Sequence, residues 1–203
     1  MIPYSMNPTG ISSLPYKRKL EYLESSTGAQ YINTEYLFRA ASRNSSLEMK
    51  ILFPDGVTVS NIAFGSRQDA AAHNSLYIIG WNMIVGDSQG YNAVASGLSA
   101  GIASVIRFSD GVYSIDGGAG IDTGRLPEST YPFGLFAFST EGVFVPSLAA
   151  KAGTRIYYCK FFEYNDMAMN LIPVIDKSDT PCYFDTVAKT FFYNAGTGNF
   201  NYS

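Results

Sequence analysis

The sequence predicts an all-β fold, a sandwich or barrel of short antiparallel strands with an extended arm at its N-terminus. Apolar residues alternate with period two in runs of a few residues, the mark of half-buried strands. Clusters of Pro, Gly, Asn and Ser separate these runs at short spacing, as turns do. No stretch from residue 19 to 203 sustains a helical period, and no fixed-length repeat points to a propeller or solenoid.

Composition narrows the class. The 203 residues suit one domain, and a chain of that size buries roughly 70% of its unfolded surface. Charged residues make up 15% of the chain and aromatics another 15%. Low charge with ample hydrophobicity excludes a disordered protein. A net charge of −3 argues against a nucleic-acid partner, because such binders cluster Lys and Arg. No run approaches the ~18 apolar residues that span a bilayer, so no membrane partner is expected.

The elements follow in order. Residues 1–18 form the arm: Pro3, Pro8 and Pro15 force extended backbone, and no charged side chain occurs before Lys17. Ile2, Tyr4, Met6, Ile11 and Leu14 are more apolar than a solvated tail needs, so they are candidate residues for docking on a partner. The basic cluster Lys17-Arg18-Lys19 follows the apolar residues instead of preceding them, which is the reverse of a signal peptide. The domain proper runs from 19 to 203. In 19–25, Leu20 and Tyr22 share one side of an expected strand. In 46–53, Leu47, Met49, Ile51 and Phe53 share one face, with Glu48 and Lys50 opposite. Runs at 61–66, 76–81, 104–109 and 112–117 follow. Asp110-Gly111, between the last two, is a two-residue hairpin signal. The run 133–139 is apolar on both faces, as in a central covered strand. In 155–164, Tyr157, Cys159 and Phe161 are expected in the core, because Lys160 on the other face needs water at its tip. Strands at 169–176, 182–185 and 190–194 complete the set.

Little in the sequence supports catalysis or metal binding. Cys159 and Cys182 form no CxxC or Cys/His cluster, so zinc has no support. They read as core thiols, with a bridge between them left open. His73 stands alone in a loop. No Ser occupies a G-x-S-x-G elbow, and GxGxxG and Walker patterns are absent. A sandwich glycosidase needs two carboxylates flanking the bond. Glu21/Glu24, Glu163/Asp166 and Asp110/Asp116 do not form a same-face pair within a strand. The loop 116–124 could wrap Ca²⁺ with Asp116 and Asp122, but a glycine-rich turn accounts for it more simply. The sequons at Asn44 and Asn201 matter only in a secretory pathway. No cofactor and no catalytic residue are expected.

Surface chemistry remains. Sugar sites place flat aromatic faces against pyranose C–H groups, with amides and carboxylates on the hydroxyls. The stretch 76–92 concentrates such groups: Tyr77, Trp81, Asn82, Asp87, Gln89, Tyr91 and Asn92. They are the candidate carbohydrate-binding residues, weighed against a purely structural role for aromatics on a sheet.

Two segments carry a resemblance. One is LPYKRKLEYLESSTGAQYINTEY (14–36), followed by Phe64-Gly65-Ser66-Arg67. The other is 155–200, with Ile172-Pro173 and Phe192-Tyr193-Asn194-Ala195-Gly196-Thr197-Gly198. Together they resemble LamG-like jelly-roll domains of the concanavalin A-like lectin/glucanase superfamily, in a version found in gut-bacterial surface proteins and bacteriophage virion proteins. The resemblance implies an antiparallel two-sheet jelly-roll sandwich whose terminal strands lie together. The E-x-D-x-E-like catalytic strand of the hydrolase branch is missing, which implies a non-enzymatic role. With no export signal, the expectation is a bacteriophage virion structural protein: a capsid decoration, head-fibre or tail-fibre component made in the host cytoplasm. Its arm would dock on other virion proteins, its sandwich would touch host surface glycans, and it would be a homo-oligomer. The alternative is a secreted or surface carbohydrate-binding module of a gut bacterium.

Overall fold

The computed structural model describes residues 14–58, 61–69, 71, 73–144 and 150–203. Of the arm, Leu14 is described and exposed, while Ile2, Tyr4, Met6 and Ile11 lie outside the described residues. Among the described residues nineteen strands, numbered in chain order, form two packed sheets. Sheet A holds β1 (Arg18–Lys19), β2 (Leu23–Glu24), β4 (Ser46–Leu52), β9 (Ala103–Ser109), β10 (Val112–Ile115), β11 (Ile121–Asp122), β15 (Arg155–Glu163), β16 (Asp166–Ile175), β17 (Pro181–Asp185), β18 (Phe191–Phe192) and β19 (Asn201–Tyr202). Sheet B holds β3 (Ile32–Arg39), β5 (Ile62–Arg67), β6 (Leu76–Ile79), β7 (Asn82–Asp87), β8 (Gly90–Ala95), β12 (Glu128–Leu135), β13 (Phe138–Thr140) and β14 (Val143–Phe144). One helical turn, α1 (Ala40–Arg43), joins β3 to β4. All strand pairings among the described residues are antiparallel except β13 with β5. This is the expected all-β, antiparallel two-sheet sandwich of jelly-roll type.

Sheet A runs β11-β10-β9-β4-β15-β16-β17-β18, so β15 is central. The alternation in 46–53 works as read: Leu47, Met49, Ile51 and Phe53 are buried. Asp110 and Gly111 both take positive φ, 50° and 77°. Those angles make the two-residue turn that the strand twist favours, and Ser109 pairs with Val112 across it. Aromatic rings clamp the sheets together. Phe133 of sheet B meets Phe161 of sheet A edge-on at 5.1 Å and also touches Phe64 and Phe38. Phe38 in turn reaches Phe108 of sheet A at 5.9 Å.

Three readings need correction. The segment 19–25 is two short strands rather than one, because the chain crosses from β16 to β15 at Leu20–Tyr22; Leu20 and Leu23 are the buried pair. Pro173 accepts from the Leu20 N–H at 2.9 Å but has no N–H to return, and β1 leaves the sheet there. The run 133–139 is buried throughout but is not one strand. Phe136 turns to φ 63°, so β12 runs antiparallel to β5 and β13 runs parallel to it. Tyr157 leaves the core face, for the reason given below. The reading of Cys159 and Cys182 as core thiols holds: both are buried and free. Cys159 belongs to the main core, whereas Cys182 packs with Val174 and Phe184 on the other face of sheet A. Burial pushes both thiols up, Cys182 to about 12, so neither is a reactive thiolate.

The terminal blocks meet. Thr197 N–H donates to Ala29 O and Ala195 N–H to Tyr31 O. Gly196 lies so close that a Cβ there would stand 2.0 Å from Ala29 O. Only glycine permits that approach.

Phe133 has no exposed surface and joins the aromatic sets of both sheets. Phe133→Ala is expected to cost about 3–5 kcal/mol, measured as a shift in the urea midpoint. Phe133→Leu should cost clearly less, and equal losses for the two would show that the ring contacts are immaterial.

Candidate functional site

The seven residues of the 76–92 stretch do not converge. Tyr77 is buried in a small cluster with Ile62, Ile84 and Phe138, stacked on Phe138 at 5.3 Å. Trp81 is half-buried at the β6–β7 turn, edge-on to Phe53 at 5.6 Å. Asn82 is exposed beside it. Asp87 closes the other end of β7, about 17 Å away at ~3.3 Å per residue, and is held by Arg125 at 2.9 Å. Gln89 and Tyr91 are exposed near Asp87, and the Asn92 amide donates to Thr123 O. A run rich in aromatics and amides therefore becomes a hairpin with Trp81 and Asn82 at one end and Asp87, Gln89 and Tyr91 toward the other.

A better-formed site lies on the outer face of sheet A. It begins with a β-bulge. Arg155 pairs with Leu52, Ile156 with Ile51 and Tyr158 with Lys50, so Tyr157 is the extra residue. Two residues of the bulged strand then face one on its partner. Ile156 and Cys159 stay in the core, and Tyr157 and Tyr158 both turn outward. The bulge coincides with a seam. On the side of β15 away from β4, β2 pairs with Arg155 and Ile156, and β16 pairs from Cys159 onward. The crossing chain at Leu20 and Glu21 roofs the gap. The result is an open groove of about 420 Å³ lined by Lys19, Leu20, Glu21, Lys50, Tyr157, Tyr158, Lys160, Asn170 and Ile172.

The groove combines aromatic rings with cations. Lys50 Nζ lies 4.7 Å from the Tyr157 ring centre and Lys160 Nζ 4.8 Å from that of Tyr158. Tyr22 abuts Tyr157 edge-on, and the Arg155 guanidinium covers Tyr22. Beside the groove, Glu48 accepts from Lys160 at 2.8 Å and Arg107 at 2.9 Å. Burial alone would raise the Glu48 pKa, but these two donors outweigh it and hold the carboxyl below the usual range. Burial, with the nearby Glu48 charge, pushes Tyr158 up to about 12, so its hydroxyl remains a donor at neutral pH. Lys19 makes no ion pair among the described residues. The Asn170 amide donates to Thr186, while its buried Oδ1 has no partner among the described residues. An unpaired buried acceptor costs about 1–3 kcal/mol.

Several carboxylates elsewhere serve the chain's own structure. Glu24 pairs with Arg155 and Glu163 with Arg43. Asp116 accepts from Val105 N–H and Asp122 from Gly124 N–H, so the 116–124 loop is the glycine turn. Asp185 caps the turn after β17 through Val187 and Ala188 N–H. His73 faces Asp69 at 2.8 Å in its loop. Among the described residues no three His, Cys, Asp or Glu side chains gather as metal ligands would. Sequence reasoning missed the groove because its residues come from β1, β4, β15 and β16. The one local signal was the Tyr157-Tyr158 doublet, which breaks the alternation.

No protein-family model and no curated protein matches this sequence. Two of the solved structures found by comparison are the NanB sialidase of Streptococcus pneumoniae, bound to 2-[(3-chlorobenzyl)ammonio]ethanesulfonate, and a point mutant of that enzyme. Each aligns with 91% of this chain at 11% identity and a TM-score of 0.39, and the chain spans 40% of their length.

The Glu48 ion pairs carry a pH signature. A carboxyl whose folded pKa is depressed adds stability above its unfolded value, about 4.3, and loses it as pH falls through the folded value. The thermal midpoint should therefore drop as pH falls below about 4. Glu48→Gln should lower the midpoint at pH 7 and flatten the acid limb. An unchanged acid limb in Glu48→Gln would remove Glu48 from the account.

Proposed function

We propose that this chain is a non-enzymatic LamG-like jelly roll, a structural component of a bacteriophage virion that binds host surface glycans through the tyrosine groove of sheet A. The observation that supports the glycan reading is the bulge, which presents Tyr157 and Tyr158 side by side in a groove edged by three lysines. Aromatic rings accept the C–H faces of a pyranose, while phenol, ammonium and amide groups serve its hydroxyls. Lys19, Lys50 and Lys160 line the groove with Glu21, and with Lys160 paired to Glu48 beside it, Lys19 and Lys50 carry the excess positive charge. In a chain of net charge −3, that local excess of cations favours a glycan bearing carboxylates or another anionic group.

The virion reading is supported by the arm. Its root, Lys17 to Lys19, is tied to β16, with Lys17 N–H on Ile175 O at 2.8 Å. An uncharged apolar segment leaving a fixed root suits attachment to a larger assembly. The carboxylates held by Arg, Lys and backbone N–H groups support a role other than hydrolysis.

A panel of acidic and neutral glycans tests the groove. Tyr157→Ala and Tyr158→Ala should each weaken binding at least about tenfold, equivalent to ~1.4 kcal/mol, and Trp81→Phe should leave it unchanged. Binding to acidic glycans should weaken with added salt. A blank panel, or loss with Trp81→Phe alone, would sink the groove. Removing residues 1–16 should abolish copurification with phage particles while leaving the thermal midpoint of the sandwich in place. An undiminished copy number in particles would overturn the docking role.

A further inference from the structure

The ends of the two sheets differ in one respect. β11, β14 and β18 are edge strands of two residues each, and short edges resist pairing with other chains. β3 is longer, but it carries Glu35 and Arg39, Glu35 sits at φ 58°, and its register with β12 shifts twice. β8 has none of these protections. It is six residues long and pairs with β7 in unbroken register from Asn82↔Ala95 to Asp87↔Gly90. It has no proline, and the whole stretch from Ser88 to Ile106 lacks a charged side chain. Tyr91 within it is 52% exposed.

The hairpin geometry shows which backbone groups are free. A two-residue turn makes Asp87 and Gly90 a hydrogen-bonded pair, so bonding alternates outward from there. The Ser96 N–H on Trp81 O, 2.8 Å, falls on that same alternation. Tyr91, Ala93 and Ala95 therefore turn their N–H and C=O groups away from β7. Among the described residues no strand pairs with that edge.

We infer that β8 is a self-association edge, pairing antiparallel with β8 of a second copy about a two-fold axis through Ala93. This arrangement sets Ala93 opposite Ala93 and Tyr91 opposite Ala95. All three residues with free backbone groups then exchange both hydrogen bonds with the facing copy. A large side chain faces a small one on the outer surface, and no charge repels an identical edge. An isologous contact requires this self-complementarity. The inference does not depend on the groove, which lies on the other sheet.

Light scattering of the full chain at rising concentration should give twice the chain mass. Ala93→Pro removes an N–H that β7 does not use, so the fold should persist, shown by an unchanged circular dichroism spectrum, while the mass halves. Ala93→Cys should crosslink with itself on oxidation, because directly opposed Cα atoms lie ~5.5 Å apart, within disulfide reach. Tyr91→Cys should not crosslink, since its partner is Ala95. A wild-type chain that stays monomeric at its highest soluble concentration overturns the inference. So does a dimer that Ala93→Pro leaves intact, or equal crosslinking from both cysteine variants.

Discussion

One inserted residue in the middle strand of sheet A organises much of this molecule. β15 pairs with β4 along nearly its whole length, so its register sets the register of the sheet. Without the bulge, strict alternation would put Ile156 and Tyr158 on one face and Tyr157, Cys159 and Phe161 on the other. A strand that buries Cys159 and Phe161 would then expose Ile156. The bulge lets Ile156, Cys159 and Phe161 all stay inside, each with no exposed surface. It also lets the Ile156 carbonyl receive the Tyr183 hydroxyl at 2.8 Å, which satisfies the polar end of a fully buried ring. The twin outward tyrosines follow from that packing requirement. Core demand and surface chemistry are thus coupled through a single backbone irregularity.

What the sequence made legible, and what it did not, divides along the same line. Where one face is buried and the other wet, as in Leu47–Phe53, alternation names the core residues correctly, because only one register hides the apolar set. Asp110-Gly111 could be read because its turn requires positive φ twice and few residue pairs provide it. Where every residue is apolar, as in 133–139, alternation is silent, and the reversal at Phe136 leaves no local mark. The break at Leu20–Tyr22 depends on Pro173, some 150 residues away by sequence number. The stretch 76–92 is divided for a related reason. Its aromatics are close along the chain, but a hairpin separates its ends, while the groove gathers side chains from strands distant in sequence.

The two terminal blocks illustrate a constraint that sequence patterns can carry without announcing their geometry. Gln30 receives Ser25 Oγ–H and the Thr27 N–H on its carbonyl oxygen, and its amide donates to Ser26 and Thr27 hydroxyls. Ser26 in turn donates to Asn199 O, and Asn194 accepts from Tyr31 N–H. Every one of these residues lies in the two motif-bearing segments. The first and last parts of the domain thus close against each other through exposed and part-buried polar bonds arranged around the buried Gln30. That closure fixes where β2 can run, and β2 forms one wall of the seam beside the bulge.

The groove and the free edge belong to different sheets, and the separation has a consequence. Pairing through β8 extends sheet B from one copy into the next and leaves the outer face of sheet A open on both. A dimer built this way carries two identical grooves related by a two-fold axis. Under the proposed glycan reading, a surface that displays many copies of one glycan would meet a bivalent ligand, with the second contact forming at the effective concentration set by the first. An open groove of that kind would be expected to give modest affinity per site. Duplication by a symmetric strand pairing raises avidity without deepening the groove, and it requires no side chain beyond those the core and the edge already supply.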